Sequence, residues 1–333
     1  MFRSRRRAIA IASLLILPLI LAACSTTGGK KAAQGGSSVA AGHANTAHYT
    51  VAMITHQAPG DTFWDIIRKG GVAAAAKDNI TLKYSADPDA TKQAALITDA
   101  INSHVDGIAV TDPNPAALCP TIQKAVQAGI PVVMFNAGVG NWQQCGGMEY
   151  FGQDESIAGL AAGKRLAAAN AKHVLCVLQE QGQVQLEARC AGVQKGLGSA
   201  TMTKLYVNGR DQSAVLSSLT AKLTQDKTID SVITLGSPEA LTAVQAIPAA
   251  HSTAKLYTFD TNAAEIAKIK SGAVQWAVDQ QPFLQGYESV DSLWLWLTNG
   301  NVLGGGQTVL TGPAFIDASN VAKVATYAER GTR

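Results

Sequence analysis

The stretch APGDTFWD, Ala58 to Asp65, sets a carboxylate, Asp61, and two adjacent rings, Phe63 and Trp64, where an apolar run ends and a helical pattern begins. Asp61 suits an N-cap, and TFWD fits a capping box, yet neither cap needs an aromatic ring. One ring is expected to pack inward. The other can lay its flat face on the C–H groups of a sugar-like ring. Hydrogen-bonding side chains close most of the other apolar runs: His56, Asp87, Asp112, Asn136 and Gln153 in the first half, then Gln179, Glu180, Asn208, Asp260, Asp279 and Gln280, with Gly236 the exception. Most can donate, accept or do both, an inventory suited to noncovalent recognition of a small molecule rich in hydroxyls. The competing account is that loops between strands and helices are polar anyway and that Asp or Asn there caps helices.

Signs of catalysis are few. The chain has no G-x-x-x-x-G-K-[ST], no H-E-x-x-H and no G-x-S-x-G, and GVGNWQ at Gly138 lacks the third glycine of a dinucleotide loop. No cofactor and no metal site is implied, and no C-x-x-C occurs. The enzymatic alternative is a secreted carbohydrate-active enzyme using Asp112 and Asp260 as an acid and base pair.

The elements that must position these residues alternate. Apolar runs such as YTVAMI, DGIAVT, IPVVMF, HVLCVL, DSVITL and AKLYTF are separated by amphipathic stretches such as 62–77, 91–103, 116–128, 156–169, 186–197 and 211–225. Strands alternating with helices imply parallel sheets covered on both faces. Two such sets imply an α/β protein of two similar doubly wound lobes joined by a hinge. In open parallel sheets ligands bind beyond the carboxyl ends of the strands, which is where the polar residues stand.

The N-terminus carries four arginines, an apolar run and then small residues before Cys24, the pattern of a secretory signal over 1–23. LAAC, Leu21 to Cys24, resembles the bacterial lipobox, which implies lipidation of Cys24 and a membrane anchor. Residues 24–48 read as a flexible tether rich in Gly, Ser, Ala and Thr. The 27 Lys and Arg, less the four leader arginines, leave 23 basic against 24 acidic residues, a mature net charge of −1. The apparent basicity belongs to the leader, and no nucleic-acid partner is implied.

Cys119, Cys145, Cys176 and Cys190 form an even set in an exported chain, which suggests two disulfides with three possible connectivities. Pairing Cys119 with Cys145 and Cys176 with Cys190 keeps each bridge within one half of the chain.

From about Tyr49 onward the chain resembles the type I periplasmic sugar-binding proteins of ABC importers. GDTFW, VDGIAVTDPNP, AGIPVVMFN, FGQDESIAGLAAGKRLA, LEARCAGV, YTFDTN and WAVDQQPFLQG carry the resemblance, in order. It implies a first lobe of 49–152 and 282–303, a second of 153–281 and 304–333, and a ligand set of Asp61, Phe63, Trp64, Asp112, Asn136, Arg189, Asp260 and Gln280, to which the strand-end reading adds His56 and Gln153. Arg189 is implied to grip ring or hydroxyl oxygens; the alternatives for it are to meet a ligand carboxylate or to neutralise Asp260. The implied function is that of a monomeric, extracytoplasmic, non-enzymatic receptor that closes on a neutral monosaccharide or polyol and docks on a permease and its ATPase. Three positions depart from the family: Asn136 for an Asp, Ala137 for an Arg, and Gly236 for an Asn. The surroundings of Cys119 and Cys145 look like those of autoinducer-binding relatives, which keeps a receptor for a sugar-like signal as the alternative.

Overall fold

The computed structural model describes residues 44–333. The signal segment, Cys24 and the tether up to residue 43 lie outside the described residues. In chain order the first half contains β1 (Tyr49–Thr55), α1 (Phe63–Lys77), β2 (Ile80–Ala86), α2 (Ala90–Asn102), β3 (Gly107–Val110), α3 (Pro115–Gln127), β4 (Val132–Phe135) and β5 (Glu149–Gly152). The second contains α4 (Glu155–Ala168), β6 (His173–Leu178), α5 (Val184–Gly196), β7 (Thr201–Tyr206), α6 (Gln212–Gln225), β8 (Ser231–Thr234), α7 (Ser237–Ala249), β9 (Lys255–Phe259), α8 (Ala263–Lys270) and β10 (Trp276–Asp279). After these come α9 (Pro282–Asn299), β11 (Val309–Leu310), β12 (Ala314–Asp317) and α10 (Val321–Glu329).

Two sheets result, with orders β11-β5-β4-β3-β1-β2 and β12-β10-β9-β8-β6-β7. The two orders correspond strand for strand, so the halves share one topology. The pairings are parallel except β10 with β12, which is antiparallel. Strands β3, β4, β8 and β10 are buried at every residue, as expected of strands covered on both faces. The helices are amphipathic for the same reason: α1 buries Phe63, Ile67, Gly70, Ala74 and their neighbours along one face and exposes Asp65, Arg68 and Lys69.

The chain passes between the sheets three times, at 153–154, 280–281 and 311–313. Helix α9 packs back on α1 and the first sheet, as the family resemblance implies. The expected boundary at 303/304 falls short, because β11 pairs with β5 and sheet membership carries the first lobe through Leu310. Side-chain caps hold several helix starts in place: Asp154 accepts from the Ser156 and Ile157 amides, Asp211 from Ser213 and Ala214, and Asn262 from Glu265.

Helices α4 and α5 approach closely. A Cβ on Gly159 would lie 2.3 Å from the Arg189 carbonyl oxygen and 2.9 Å from Gly192 Cα. Only glycines permit that contact, and it brings Glu155, in the first turn of α4, alongside Arg189 on α5. Both bridges form as the half-chain pairing implied, Cys119 with Cys145 and Cys176 with Cys190, at Cα separations of 5.0 and 6.2 Å. Among the described residues no helix is long and apolar enough to cross a membrane.

Candidate functional site

A cavity of about 180 Å³ opens between the carboxyl ends of the two sheets. It is lined by residues that directly follow strands: His56 after β1, Asn136 after β4, Gln179 and Glu180 after β6, Leu235 and Gly236 after β8, Asp260 after β9, and Gln280 after β10. Both lobes contribute, so the cavity exists only where they meet.

Its first-lobe wall is aromatic. Phe63 and Trp64 both line it, although they are only 7% and 4% exposed, so the expected division into one core ring and one cleft ring does not hold. Trp64 meets Phe63 edge to face at 5.3 Å and His56 at 4.5 Å. The helix starts at Phe63 with Thr62 at the N-cap position, and no side chain caps it there. Asp61, one residue earlier, instead accepts from the Phe63 amide at 3.1 Å.

His56 joins the lobes. Its Nδ1 lies 2.8 Å from Thr111 Oγ1 and its Nε2 is 3.1 Å from Gln185 Nε2 on α5. The Gln185 amide nitrogen also donates to Gln183 Oε1 at 2.6 Å, so its orientation is set. His56 Nε2 must then accept, which puts the proton on Nδ1, facing Thr111. Burial, with the Arg189 charge, lowers the imidazole pKa to about 3, so the ring is neutral. Further bonds cross between the lobes, among them Val184 N to Pro113 O at 3.2 Å, Asn262 Nδ2 to Thr62 Oγ1 at 3.2 Å, and, away from the cavity, Lys69 Nζ to Arg330 O at 3.1 Å.

Asn136 and Asp260 occupy equivalent positions in the two sheets, each at a left-handed backbone angle, φ 64° and 67°. Asn and Asp tolerate that region better than other residues with a Cβ, and both side chains reach the cavity. Asn136 Nδ2 donates to Gln280 Oε1 at 3.2 Å and Gln285 Oε1 at 3.1 Å; Gln280 Nε2 donates to Asp260 Oδ1 at 2.6 Å. Gln285 in turn donates to Thr311 Oγ1 at 3.1 Å. This network ties the cleft to the second and third connections between lobes.

Arg189, 3% exposed, grips Glu155 with Nε at 2.6 Å and Nη2 at 2.9 Å, and its Nη1 donates to the Leu235 carbonyl at 2.8 Å and Asp260 at 3.5 Å. It therefore neutralises Glu155 more directly than Asp260. Four carboxylates line the cavity, Asp61, Glu180, Glu239 and Asp260, against Arg189 and Arg210. Burial raises Asp61 to about 6, and Asp260 to about 7 despite Arg189; burial and the Asp61 charge raise Glu239 to about 7. At a pH above these values such a lining repels anions, and in either protonation state its oxygens can accept from hydroxyl groups.

Eight of the ten sequence-derived candidates line this one cavity: His56, Asp61, Phe63, Trp64, Asn136, Arg189, Asp260 and Gln280. Asp112 and Gln153 do not. Asp112 is fully buried beside Cys145 Sγ at 3.7 Å, and Gln153 donates to Glu155 at 2.8 Å within the first connection between lobes. The capping and turn account holds for Asp87, Asn208 and Asp279, which accept from the Asp89, Arg210 and Gln281 amides. Gln183, Gln185, Arg210, Gln212 and Glu239 line the cavity without having been singled out by the sequence, because they lie a few residues beyond strand ends, in loops and first helical turns. Among the described residues no group of three His, Cys, Asp or Glu side chains could hold a metal ion.

Fold and site together define a bilobal binding protein with its ligand cavity between the lobes. A family model described as a periplasmic binding protein domain matches residues 51–301. The crystal structure of a carbohydrate transporter from Acidothermus cellulolyticus 11B, in complex with myo-inositol, is 63% identical over 86% of this chain and 100% of that chain, with a TM-score of 0.85. This chain belongs to the periplasmic binding protein family. Two further structures bear on the fold alone: a solute-binding protein from Burkholderia graminis C4D1M with D-arabinose (22% identity, 82% and 96% of the two chains, TM-score 0.74) and one from Agrobacterium vitis with D-fucose (22%, 84% and 99%, 0.75). Among curated proteins none matches.

Proposed function

We propose that this chain is the solute-binding lipoprotein of an ABC importer, closing its two lobes on one neutral cyclic polyol or monosaccharide and presenting the closed form to a permease and its ATPase. Myo-inositol is the foremost ligand, since a relative 63% identical is described in complex with it. The observation that carries the proposal is the cavity itself: an aromatic wall from one lobe facing a ring of amides and carboxylates contributed by both. The wall suits the C–H face of a saturated ring. The ring of polar groups suits its hydroxyls, and the excess of carboxylates disfavours phosphates and sugar acids.

Three connections between lobes supply the hinge, and the bonds from His56 to Gln185 and from Thr62 to Asn262 latch the closed state. Binding without turnover is supported by the position of Asp112 outside the cavity, which removes the Asp112–Asp260 acid and base pair that the enzymatic alternative invokes. Lipidation at Cys24 would hold the receptor at the outer face of the membrane.

Isothermal titration of the mature chain with myo-inositol, scyllo-inositol, D-arabinose, D-fucose, D-glucose, xylitol and an inositol phosphate tests this. Micromolar binding, about −8 kcal/mol, is expected for one or more neutral rings and none for the phosphate. Silence across the neutral panel would overturn it.

A further inference from the structure

Glycines at 209 and 236 leave an opening in the second-lobe wall, and one carboxylate fills it. A Cβ on Gly236 would stand 2.8 Å from Glu239 Oε2 and 3.0 Å from Gln179 Nε2; one on Gly209 would stand 2.7 Å from Gln179 Cβ and 3.1 Å from Glu239 Oε1. The Gly236 backbone is extended, at φ −160°, a conformation any residue adopts. What an added Cβ there would displace is the end of the Glu239 side chain.

Glu239 lies in the first turn of α7, 3% exposed, where an acidic side chain ordinarily turns to solvent and complements the helix dipole. Here it folds back to line the cavity. Its Oε1 accepts from Gln212 Nε2 at 3.1 Å, and Gln212 is itself fixed by the Thr242 hydroxyl at 2.5 Å and by donation to the Gly209 carbonyl at 2.8 Å. The carboxylate is thus held in advance in one orientation. Beside it the Ser237 hydroxyl, 3% exposed, and Gln179 Oε1 have no hydrogen-bond partner among the described residues, although both side chains line the cavity. Buried polar atoms left unpaired in a preformed pocket await a partner from outside the chain.

We propose that Glu239 is a specificity-determining ligand residue of this cleft, positioned by Gln212 and admitted by Gly209 and Gly236. Resting on the polyol reading above, this deepens it: the ring must carry a hydroxyl at the position that meets Glu239. A deoxy ring would leave a buried carboxylate unsatisfied, and a site built around a hydroxyl rejects the analogue that lacks one far more strongly than an apolar pocket rejects an extra group.

Titration of myo-inositol against the wild type and the variants Glu239→Gln, Glu239→Ala, Gly236→Ala and Gly236→Ala/Glu239→Ala tests the proposal, with urea unfolding of each to confirm a folded chain. Glu239→Ala and Gly236→Ala should each weaken binding about 10- to 100-fold, with Glu239→Gln in between because it keeps the volume and one acceptor oxygen and replaces the other with a donor. The double variant should bind no worse than Glu239→Ala, since the added methyl then has no carboxylate to displace. Wild-type affinity in both Glu239→Ala and Glu239→Gln, or losses that multiply in the double variant, would overturn the role of Glu239 while leaving the polyol reading intact. A wild type that ignores myo-inositol and the whole neutral panel would sink the polyol reading, and this inference with it.

Discussion

Arg189 and Glu155 form a two-point ion pair, 2.6 and 2.9 Å, buried where α4 and α5 touch. The arginine faces the cleft, yet two of its nitrogens are spent on a carboxylate in the first turn of α4, immediately after the first connection between lobes. Its remaining reach goes to Leu235 and Asp260. The cavity wall and the start of α4 therefore share one guanidinium.

Removing one partner of such a pair leaves the other charged, buried and incompletely bonded. Glu155→Gln should lower unfolding stability by about 3 kcal/mol, read from the urea midpoint, and should also weaken ligand binding because Arg189 turns more fully onto Asp260. An unchanged midpoint would mean that the pair is not formed in solution.

The aromatic wall can be tested without emptying it. Trp64→Leu keeps an apolar side chain and removes the indole face, whose geometric contribution is about 0.5–1.5 kcal/mol beyond simple burial. Affinity for myo-inositol should fall by up to about tenfold, while Trp64→Phe retains most of it. Equal affinities in all three proteins would exclude stacking on Trp64.

Asp112 should report on pH rather than on ligand. Burial, only partly offset by the Asn114 amide, raises it from 3.8 to about 7. Between those values the folded chain holds a proton that the unfolded chain has released, so this group's contribution to stability declines as pH rises from about 4 to 7. Asp112→Asn removes the penalty. The variant should match wild type at pH 4 and exceed it at pH 8, by on the order of 2 kcal/mol, in thermal unfolding. A constant difference at both pH values would contradict a buried, raised carboxyl.

The Cys176–Cys190 bridge ties β6 to α5 across a sequence separation of 14, next to Arg189. Loops of about 15 residues closed this way stabilise by about 3 kcal/mol. Cys176→Ala/Cys190→Ala should lose a comparable amount in urea and should weaken ligand binding as the helix carrying Arg189 loosens. A double variant as stable as the parent would show that the bridge constrains nothing.

Much of this site is legible along the chain because strand ends are legible. His56, Asn136, Asp260 and Gln280 each follow an apolar run, and the topology delivers all four to one cavity. Asp112 meets the same criterion and fails, since whether a side chain at a strand end turns toward the cleft or back into its own lobe depends on one or two backbone angles. Asn136 and Asp260 turn outward at left-handed φ; Asp112 lies against Cys145 instead. Glu239 and Gln185 reverse the error, because in sequence they are ordinary residues of a first helical turn.

Alternation of apolar runs with helical stretches determined two α/β lobes, because it depends on neighbours along the chain; the even cysteine set left three connectivities open, and the tertiary structure selected the one that keeps each bridge within its half. Which carboxylates face the cavity, where the arginine spends its charge, and where the second lobe begins were decided by contacts between segments far apart in sequence. Those contacts depend on distances of a few ångströms, such as Gly159 to Arg189 and Gly236 to Glu239, that no linear pattern encodes.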